Sequence, residues 1–555
     1  MDGLGSTGIG DMRSRITSAL SDRGTLAQPD AVEEIISSKN PEEYLRRILT
    51  ITEMPLFLDR NFLQKLDGMP GNGMQAQVLI PPPQIPAAPS PIVPQPQIVE
   101  NLQPQIQPAP HAALARPSAP GPAVSGGIMR MSPNFSPMAR EIDADIRILR
   151  DVTGNLSCTG TIQDFVNYFR DRYNRVKTLL REKPSLMGAA PIKILTKMKS
   201  ADEVKLIGMV NDVRTTKNGH VMVTLEDETG SINALAPKSD PKVLSLASGL
   251  VKDEVVGVLG KFGGGGDLFI MKDVLRPDIS NTRTEHRSDA PIYAAFISDV
   301  HVGSDTFLKN EWNSFINWLN GNVGSPRERE VVGRIKYLIV AGDLVDGIGI
   351  YPHQEEELEI HDIYAQYEDF AKKMEDVPEH IHIILQPGNH DAVRLAEPQP
   401  AFPDEIKKLF KRGNISFVGN PCTFSIHGVE VLSYHGRSMD DLIPTLKLSW
   451  HDPVSVMKHV LQRRHLAPIY GGKNQLAPES ADHMVIERVP DIFVTGHIHV
   501  SSIDSYRGTL LINASAWQSQ TPFQAMMGIK PDPAKVALVD LRTLRYTVKN
   551  FGESA

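Results

Sequence analysis

Phe296-Ile297-Ser298-Asp299-Val300-His301 is an apolar run that ends in a carboxylate and an imidazole. Read as a strand with a side-chain period of two, it turns Asp299 and His301 to one side and Val300 to the other, so that both reach one cation. The preceding run, Ile292 to Ile297, is almost wholly apolar, as in a strand covered on both faces of its sheet, and ligands gather at the carboxyl ends of such strands. A single Asp-x-His pair carries little, because surface chemistry or a satisfied hydrogen bond produces it too.

The pattern recurs downstream. Tyr337 to Ala341 leads into Gly342-Asp343-Leu344-Val345-Asp346, and Ile381 to Leu385 leads into Gly388-Asn389-His390-Asp391. Val429 to Ser433 leads into Tyr434-His435-Gly436, and Ile492 to Val494 into Gly496-His497-Ile498-His499. Each stretch alone reads as a turn, a cap or a surface pair; five at the same point of a strand do not. The adjoining glycines suit a sharp turn with no side chain crowding a metal. The donors are nitrogen and oxygen without thiolate, which suits manganese, iron, magnesium or zinc. The open, mixed set favours Mn2+ over a closed zinc site. The donors suffice for two divalent ions if one carboxylate bridges them, and two such ions roughly 3.5 to 4 Å apart generate hydroxide and neutralise phosphoryl charge.

At 555 residues the chain is expected to hold about three or four domains. Its 41% apolar and 22% charged content is that of a soluble globular protein. A net charge of -8 excludes a histone-like binder, so contact with DNA needs local basic patches or a partner. Two cysteines, Cys158 and Cys422, are too few for a disulfide framework or a thiolate zinc site and point to the cytoplasm. With no basic segment followed by an apolar one at the start, and no apolar run of roughly 18 residues, neither secretion nor a membrane is expected.

Helix-start signals at Asp30 with Glu33, and at Asn40 with Pro41 and Glu43, predict a small helical module over residues 1–70, either self-contained or a docking module. Residues 71–138, rich in proline, glutamine and alanine, read as a disordered linker. A helical connecting segment over 139–200 follows, with a helix from Thr161 to Glu182. Arg170, Arg172, Arg175, Lys177 and Arg181 lie largely off its apolar face, on a solvated surface or near phosphates. Residues 201–280 read as five strands with a helix, Lys242 to Leu250, after the third, an oligonucleotide/oligosaccharide-binding (OB-like) β-barrel. Only Phe262 and Phe269 offer stacking rings there, so a structural or subunit-contact role stands beside single-strand binding. Gly263 to Gly266 reads as a flexible hairpin, and Glu355-Glu356-Glu357 as a solvated acidic loop. The pairs Lys407-Lys408, Lys411-Arg412 and Arg463-Arg464 face DNA, a partner or simply solvent.

The motif set D-x-H, G-D-x-x-D, G-N-H-D, H and G-H-x-H resembles the calcineurin-like metallophosphoesterase superfamily over residues 292–541 (290–545 as a domain). The resemblance implies that Asp299, His301 and His499 hold one metal, that Asn389, His435 and His497 hold the second, and that Asp343 bridges. It implies that His390 positions the phosphate or protonates the leaving oxygen, with Asp391 orienting it; Asp346 is expected to be supporting or structural. The fold expected is multidomain α/β: an OB-like barrel, then a metallophosphoesterase β-sandwich flanked by helices, with a small helical module on a Pro-rich linker.

Superfamily membership leaves the substrate open. The domain order narrows it, as do the runs Asp164-Phe165-Val166 with Phe169-Arg170-Asp171-Arg172, Tyr434 to Ser438 with Asp440-Asp441-Leu442-Ile443, and Arg463 to Gly472. From about Ala139 onward these resemble the small subunits of archaeal family D DNA polymerases (PolD). That resemblance implies a metal-dependent 3′-to-5′ proofreading exonuclease. Its implied partners are a large catalytic polymerase subunit, the primer 3′ end of DNA and, through the holoenzyme, a sliding clamp. A non-catalytic scaffold subunit and a stand-alone phosphoesterase are the alternatives.

Overall fold

The computed structural model describes Ile16, Leu26–Ala27 and residues 34–38, 40–49, 57–58, 130–198, 202–263, 268–526 and 528–552. The chain divides into two compact units, Met1–Ser118 and Ala119–Ala555. In the first, β1 (Leu26–Ala27) pairs in parallel with β2 (Phe57–Leu58). A helix spans Pro41–Leu49 as its sequence predicts: the Glu43 N–H donates to Asn40 Oδ1 (3.4 Å) and Asn40 Nδ2 to Glu43 Oε2 (2.9 Å), joining cap and first turn reciprocally. The expected start at Asp30 and Glu33, residues 71–129 of the expected linker, and Gly264 to Gly266 lie outside the described residues.

In the second unit the described chain resumes at Arg130, before the expected boundary at 139, and Phe135 already packs against the core. The segment expected to be helical also contains a strand, β3 (Ile146–Asp151), at the edge of a sheet against Cys422–Ile426. An edge strand exposes much of its length, so Ile-Arg-Ile-Leu-Arg-Asp lacks the apolar continuity that marks central strands. The helix Ile162–Arg181 starts with a reciprocal cap: Thr161 Oγ1 accepts from the Asp164 N–H, and Asp164 accepts from the Thr161 N–H.

The barrel comprises β4 (Val204–Thr215), β5 (Val221–Asp227), β6 (Gly230–Ala236), β7 (Val255–Phe262) and β8 (Phe269–Leu275), closed in the order β4-β5-β6-β8-β7, with helix Pro241–Ser248 after the third strand. Alternation fills it: Val221, Val223 and Leu225 of β5 point inward. Phe262 and Phe269, the two candidate stacking rings, are buried edge to face inside it, 5.5 Å apart, so the barrel gains its aromatics as core rather than as a base platform.

The remaining chain builds two six-stranded sheets. The first orders β12 (Ile415–Phe417), β11 (His382–Gln386), β10 (Ile335–Ala341), β9 (Tyr293–Ile297), β18 (Lys535–Asp540) and β19 (Tyr546–Asn550). The second orders β16 (Ser502–Tyr506), β17 (Thr509–Asn513), β15 (Ile492–Thr495), β14 (Val429–Ser433), β13 (Cys422–Ile426) and β3. β10 shows why such strands read as unbroken apolar runs. Tyr337, Ile339 and Ala341 join the core between the sheets, while Leu338 and Val340 join the core under helices Lys309–Leu319 and Ile363–Glu375. A third core lies between the second sheet and helices Met439–Leu446 and Pro453–Arg463. Both sheets therefore carry helices on their outer faces, and β9, β10, β11, β14 and β15 bring their carboxyl ends to one rim. Among the described residues, no helix is long and apolar enough to cross a membrane.

Three arginines expected on the surface are buried in the joint between barrel and sandwich. Arg172 donates from Nε to Asp482 Oδ2 (2.7 Å), from Nη1 to the carbonyls of Pro468 (2.6 Å) and Asp253 (3.3 Å), and from Nη2 to Tyr168 Oη (2.9 Å). Arg463 pairs with Glu254 (2.7 Å) and donates to the Gly249 carbonyl (2.7 Å); Arg464 donates to the Ile486 carbonyl (2.7 Å). A planar fork with several fixed donors is what a joint of stranded carbonyls and a buried carboxylate requires, so these residues are structural staples and not a DNA-facing patch. Arg412, half-buried, likewise closes the end of the helix Ile363–Glu375 by donating to the Met374 carbonyl (2.6 Å).

Candidate metal centre

The strand ends deliver their donors through strained loops. β9 stops at Ile297, and Asp299 and His301 follow with φ of 52° and 51°. The expectation that strand pleating aligns them is therefore corrected: they sit in left-handed turns, a conformation that Asp and His tolerate better than bulky residues but that still costs about 1 kcal/mol or more each. Asp343 (51°), His497 (69°) and His499 (58°) share it. Backbone hydrogen bonds lock these loops to one another: the N–H groups of Val300 and His301 donate to the Asp343 carbonyl, and that of Trp517 to the Asp299 carbonyl. Gly388 has no room for a side chain, since a Cβ there lies 2.2 Å from Asp343 Oδ1 and 2.8 Å from His435 Cε1.

Two buried groups of donors result. Asp299, His301 and His499 form one, and Asp299, Asp343 and His435 the other; a third combination joins His301, Asp343 and His390. His301 Nε2 and His499 Nε2 face each other at 3.1 Å, and His499 Nε2 lies 3.3 Å from Asp299 Oδ1. His435 Nε2 lies 3.1 Å from both Asp343 Oδ2 and Asn389 Oδ1. The outer nitrogens are already engaged: His301 Nδ1 donates to Asp346 (3.0 Å), His435 Nδ1 donates to the Ala341 carbonyl (2.9 Å), and the Gln524 amide reaches His499 Nδ1 (2.9 Å). Inner nitrogens that converge on carboxylates while outer ones are occupied fit cations held between the groups.

Electrostatics agree. Burial pushes the other way, but His499 and His301 hold the Asp299 carboxyl, and His435 and His390 the Asp343 carboxyl, well below the usual range. Against their burial, His301 is raised to about 10 by Asp299, Asp346 and Asp343, and His435 to about 9 by Asp343 and Asp299. The buried carboxylates thus recruit protons onto the rings when nothing else balances them, and a divalent cation displaces those protons.

The other expected residues fall as follows. Asp346 supports His301 and is itself held by Gln354 Nε2 (2.8 Å) and Gln518 Nε2 (3.0 Å). The His390 N–H donates to Asp343 Oδ1 (2.8 Å), and its ring Nδ1 donates to the Asp346 carbonyl (2.7 Å). Asp391 is near His390 in sequence but accepts instead from the N–H groups of Gly388 (2.8 Å) and Leu344 (3.2 Å) and from Tyr367 Oη (2.9 Å). It shapes the loop, while the Asp346 carbonyl aims the His390 ring. Burial and the nearby Asp343 charge raise Asp391 to about 7. His497 belongs to neither donor group; its N–H donates to both Asp299 oxygens (3.1 and 3.0 Å), its ring lies 5.4 Å from that of His435, and Nε2 meets Asp440 Oδ1 at 3.0 Å. Asp440, Gln354, Gln518 and Gln524 carry no motif spacing of their own, and only Asp440 falls in a run singled out from sequence.

Comparison with known proteins supplies the decision. Residues 294–503 match the family of B subunits of DNA polymerases alpha and epsilon, and residues 204–264 an OB-fold nucleic acid binding domain. The chain is 46% identical over 407 residues to the DNA polymerase II small subunit of Methanocaldococcus jannaschii, covering 73% of this chain and 68% of that one. The chain belongs to the archaeal DNA polymerase II small subunits. Two further members are similar over comparable spans: that of Halobacterium salinarum is 42% identical, covering 74% of this chain and 79% of its own, and that of Archaeoglobus fulgidus 44%, covering 71% and 78%. Within this family the present chain carries a buried pair of Asp/His clusters suited to a metal-dependent hydrolase.

Proposed function

We propose that this small subunit is a two-metal phosphodiesterase of the calcineurin-like type that removes nucleotides from DNA 3′ ends beside a large polymerase subunit. The reading is carried by the convergence of Asp299, His301, Asp343, His435 and His499 at one rim with their outer ring nitrogens already engaged. Asp299, His301 and His499 would hold one cation, and His435 with Asn389 and Asp343 would hold a second; His497, outside both donor groups, would join the second through Nδ1, since Asp440 engages its Nε2. Bound divalent ions, Mn2+ first among those that suit the donors, supply Lewis acidity and neutralise phosphoryl charge.

The chain's own groups do the rest. His390, aimed by the Asp346 carbonyl, lies beside Asp343 and His301; in its imidazolium form, with Nδ1–H still donated to that carbonyl, Nε2–H would donate to the phosphoryl group or pass its proton to the departing oxygen. The backbone N–H of His390 fixes Asp343 Oδ1, leaving Oδ2 toward His435 and His301. Family membership supports pairing with a large polymerase subunit, the 3′-to-5′ direction is what the resemblance to PolD small subunits implies, and a net charge of -8 agrees with a subunit whose grip on DNA comes partly from a partner. The test is a 3′-mismatched primer labelled at its 5′ end, incubated with Mn2+ and wild type, Asp343→Ala or His435→Ala. Stepwise shortening by wild type alone is expected. No shortening even with the large subunit present refutes the reading.

A further inference from the structure

The pocket before the candidate centre has two flanks that the donor set does not use. On the His390 side, Tyr351 lies 6.4 Å from that ring and stacks on Phe523, centroids 5.3 Å apart and planes inclined by 22°. Tyr351 Oη donates to Glu357 Oε2 (2.9 Å), which fixes its ring. Phe523 is 42% exposed, lines the same pocket, and precedes Gln524, whose amide touches His499; the open ring is thereby tied to the donor loops. On the His497 side stands Lys473, the one lysine or arginine among the described residues that line the pocket. Asp441 holds its loop by accepting from the N–H groups of Lys473 (2.7 Å) and Asn474 (3.0 Å). The Lys473 side chain itself is exposed and makes no ion pair with a described residue.

An exposed aromatic face beside a centre that hydrolyses phosphodiesters offers a base a stacking surface whatever its sequence, and an exposed ammonium offers a strand phosphate a point charge. We propose that the Tyr351–Phe523 pair receives the base of the terminal nucleotide once it has left the duplex, while Lys473 holds a phosphate of the same strand. This rests on the DNA-hydrolase reading above and adds a source of selectivity. A paired terminal base must unpair and unstack before it meets Phe523, whereas a mismatched one leaves the duplex at lower cost.

Two measurements on the full-length chain with its large subunit test this. In EDTA, a single strand carrying 2-aminopurine at its 3′ end reports stacking of that base by fluorescence. Wild type is expected to change the signal, Phe523→Ala to lose the change, Phe523→Tyr to restore it, and Lys473→Ala to weaken binding and flatten its salt dependence. With Mn2+, primers ending in an unpaired thymidine or in an abasic residue are compared. Wild type is expected to favour the base-bearing end by about tenfold in kcat/KM, and Phe523→Ala to bring that ratio near one. A signal that survives Phe523→Ala, or equal digestion of both ends by wild type, overturns the cradle and leaves the hydrolase reading standing. A fluorescence change that depends on Phe523, without any nucleotide release, overturns the hydrolase reading instead.

Discussion

Replacing Arg172 with methionine keeps most of the side-chain volume and removes the guanidinium from the joint between barrel and sandwich. Arg172 is 1% exposed and Asp482 fully buried, so the variant leaves a carboxylate without its countercharge and the Pro468 carbonyl without its donor. Breaking a buried pair from one side costs about 3–5 kcal/mol. Asp482 keeps two donors, His465 Nε2 (2.8 Å) and the Met484 N–H (2.9 Å), which places the cost of Arg172→Met at about 4 kcal/mol. Asp482→Asn strands the guanidinium instead, and the double variant, which removes both charges, is expected to be more stable than the sum of the singles by about 2 kcal/mol. Urea unfolding followed by circular dichroism gives the cycle, and limited proteolysis reports loosening at the joint. Arg172→Met within about 1 kcal/mol of wild type, or strictly additive singles, refutes the reasoning.

Other expectations are open to direct test. Gly388→Ala drives a methyl group to 2.2 Å from Asp343 Oδ1, so calorimetric titration with Mn2+ is expected to show loss of the tighter binding and assays a loss of hydrolysis of at least a hundredfold, with an unfolding midpoint below wild type. Asp440→Ala frees the His497 ring and is expected to lower Mn2+ affinity or activity by about 10–100-fold, with partial recovery at high Mn2+. Asp299→Asn, which tolerates the left-handed turn and still accepts from the His497 N–H, is expected to abolish hydrolysis while leaving the circular dichroism spectrum and the association with the large subunit intact. The buried His465 ring donates from Nε2 to Asp482 while Nδ1 accepts from the Ala467 N–H (3.1 Å); burial first and Arg172 next push its pKa down to about 4. The folded form therefore binds that proton less readily than the unfolded chain, and stability falls as pH drops from about 6.5 toward 4, by up to about 3 kcal/mol. His465→Gln, which keeps a donor toward Asp482, is expected to flatten that limb in urea titrations at pH 7 and 4.5.

What the sequence alone determined is what local pattern records. Unbroken apolar runs mark strands covered on both sides, as β10 with its two cores shows, and the spacing of five short runs and one helix marks the barrel. The reciprocal cap at Asn40 is local too, joining residues three apart. Among the candidate donors, Asp299, His301, Asp343, His435 and His499 do meet in buried clusters, because the strand ends that carry them come together at one rim of the two sheets. Tertiary structure decided the rest, because burial of a charge depends on what closes over it. Arg172 and Asp482 are 310 residues apart, and nothing near Arg172 in sequence distinguishes it from its solvated neighbours. The same holds for the groups that aim the rings, Asp440 for His497 and Gln524 for His499, which meet their partners only when separate helices fold against the histidine loop. Even at Asp299 and His301 the sequence picked out two residues that do share a buried cluster, but by way of the wrong geometry. Strand pleating does not bring them together; two left-handed turns do, held in place by backbone hydrogen bonds to the Asp343 loop of the next strand.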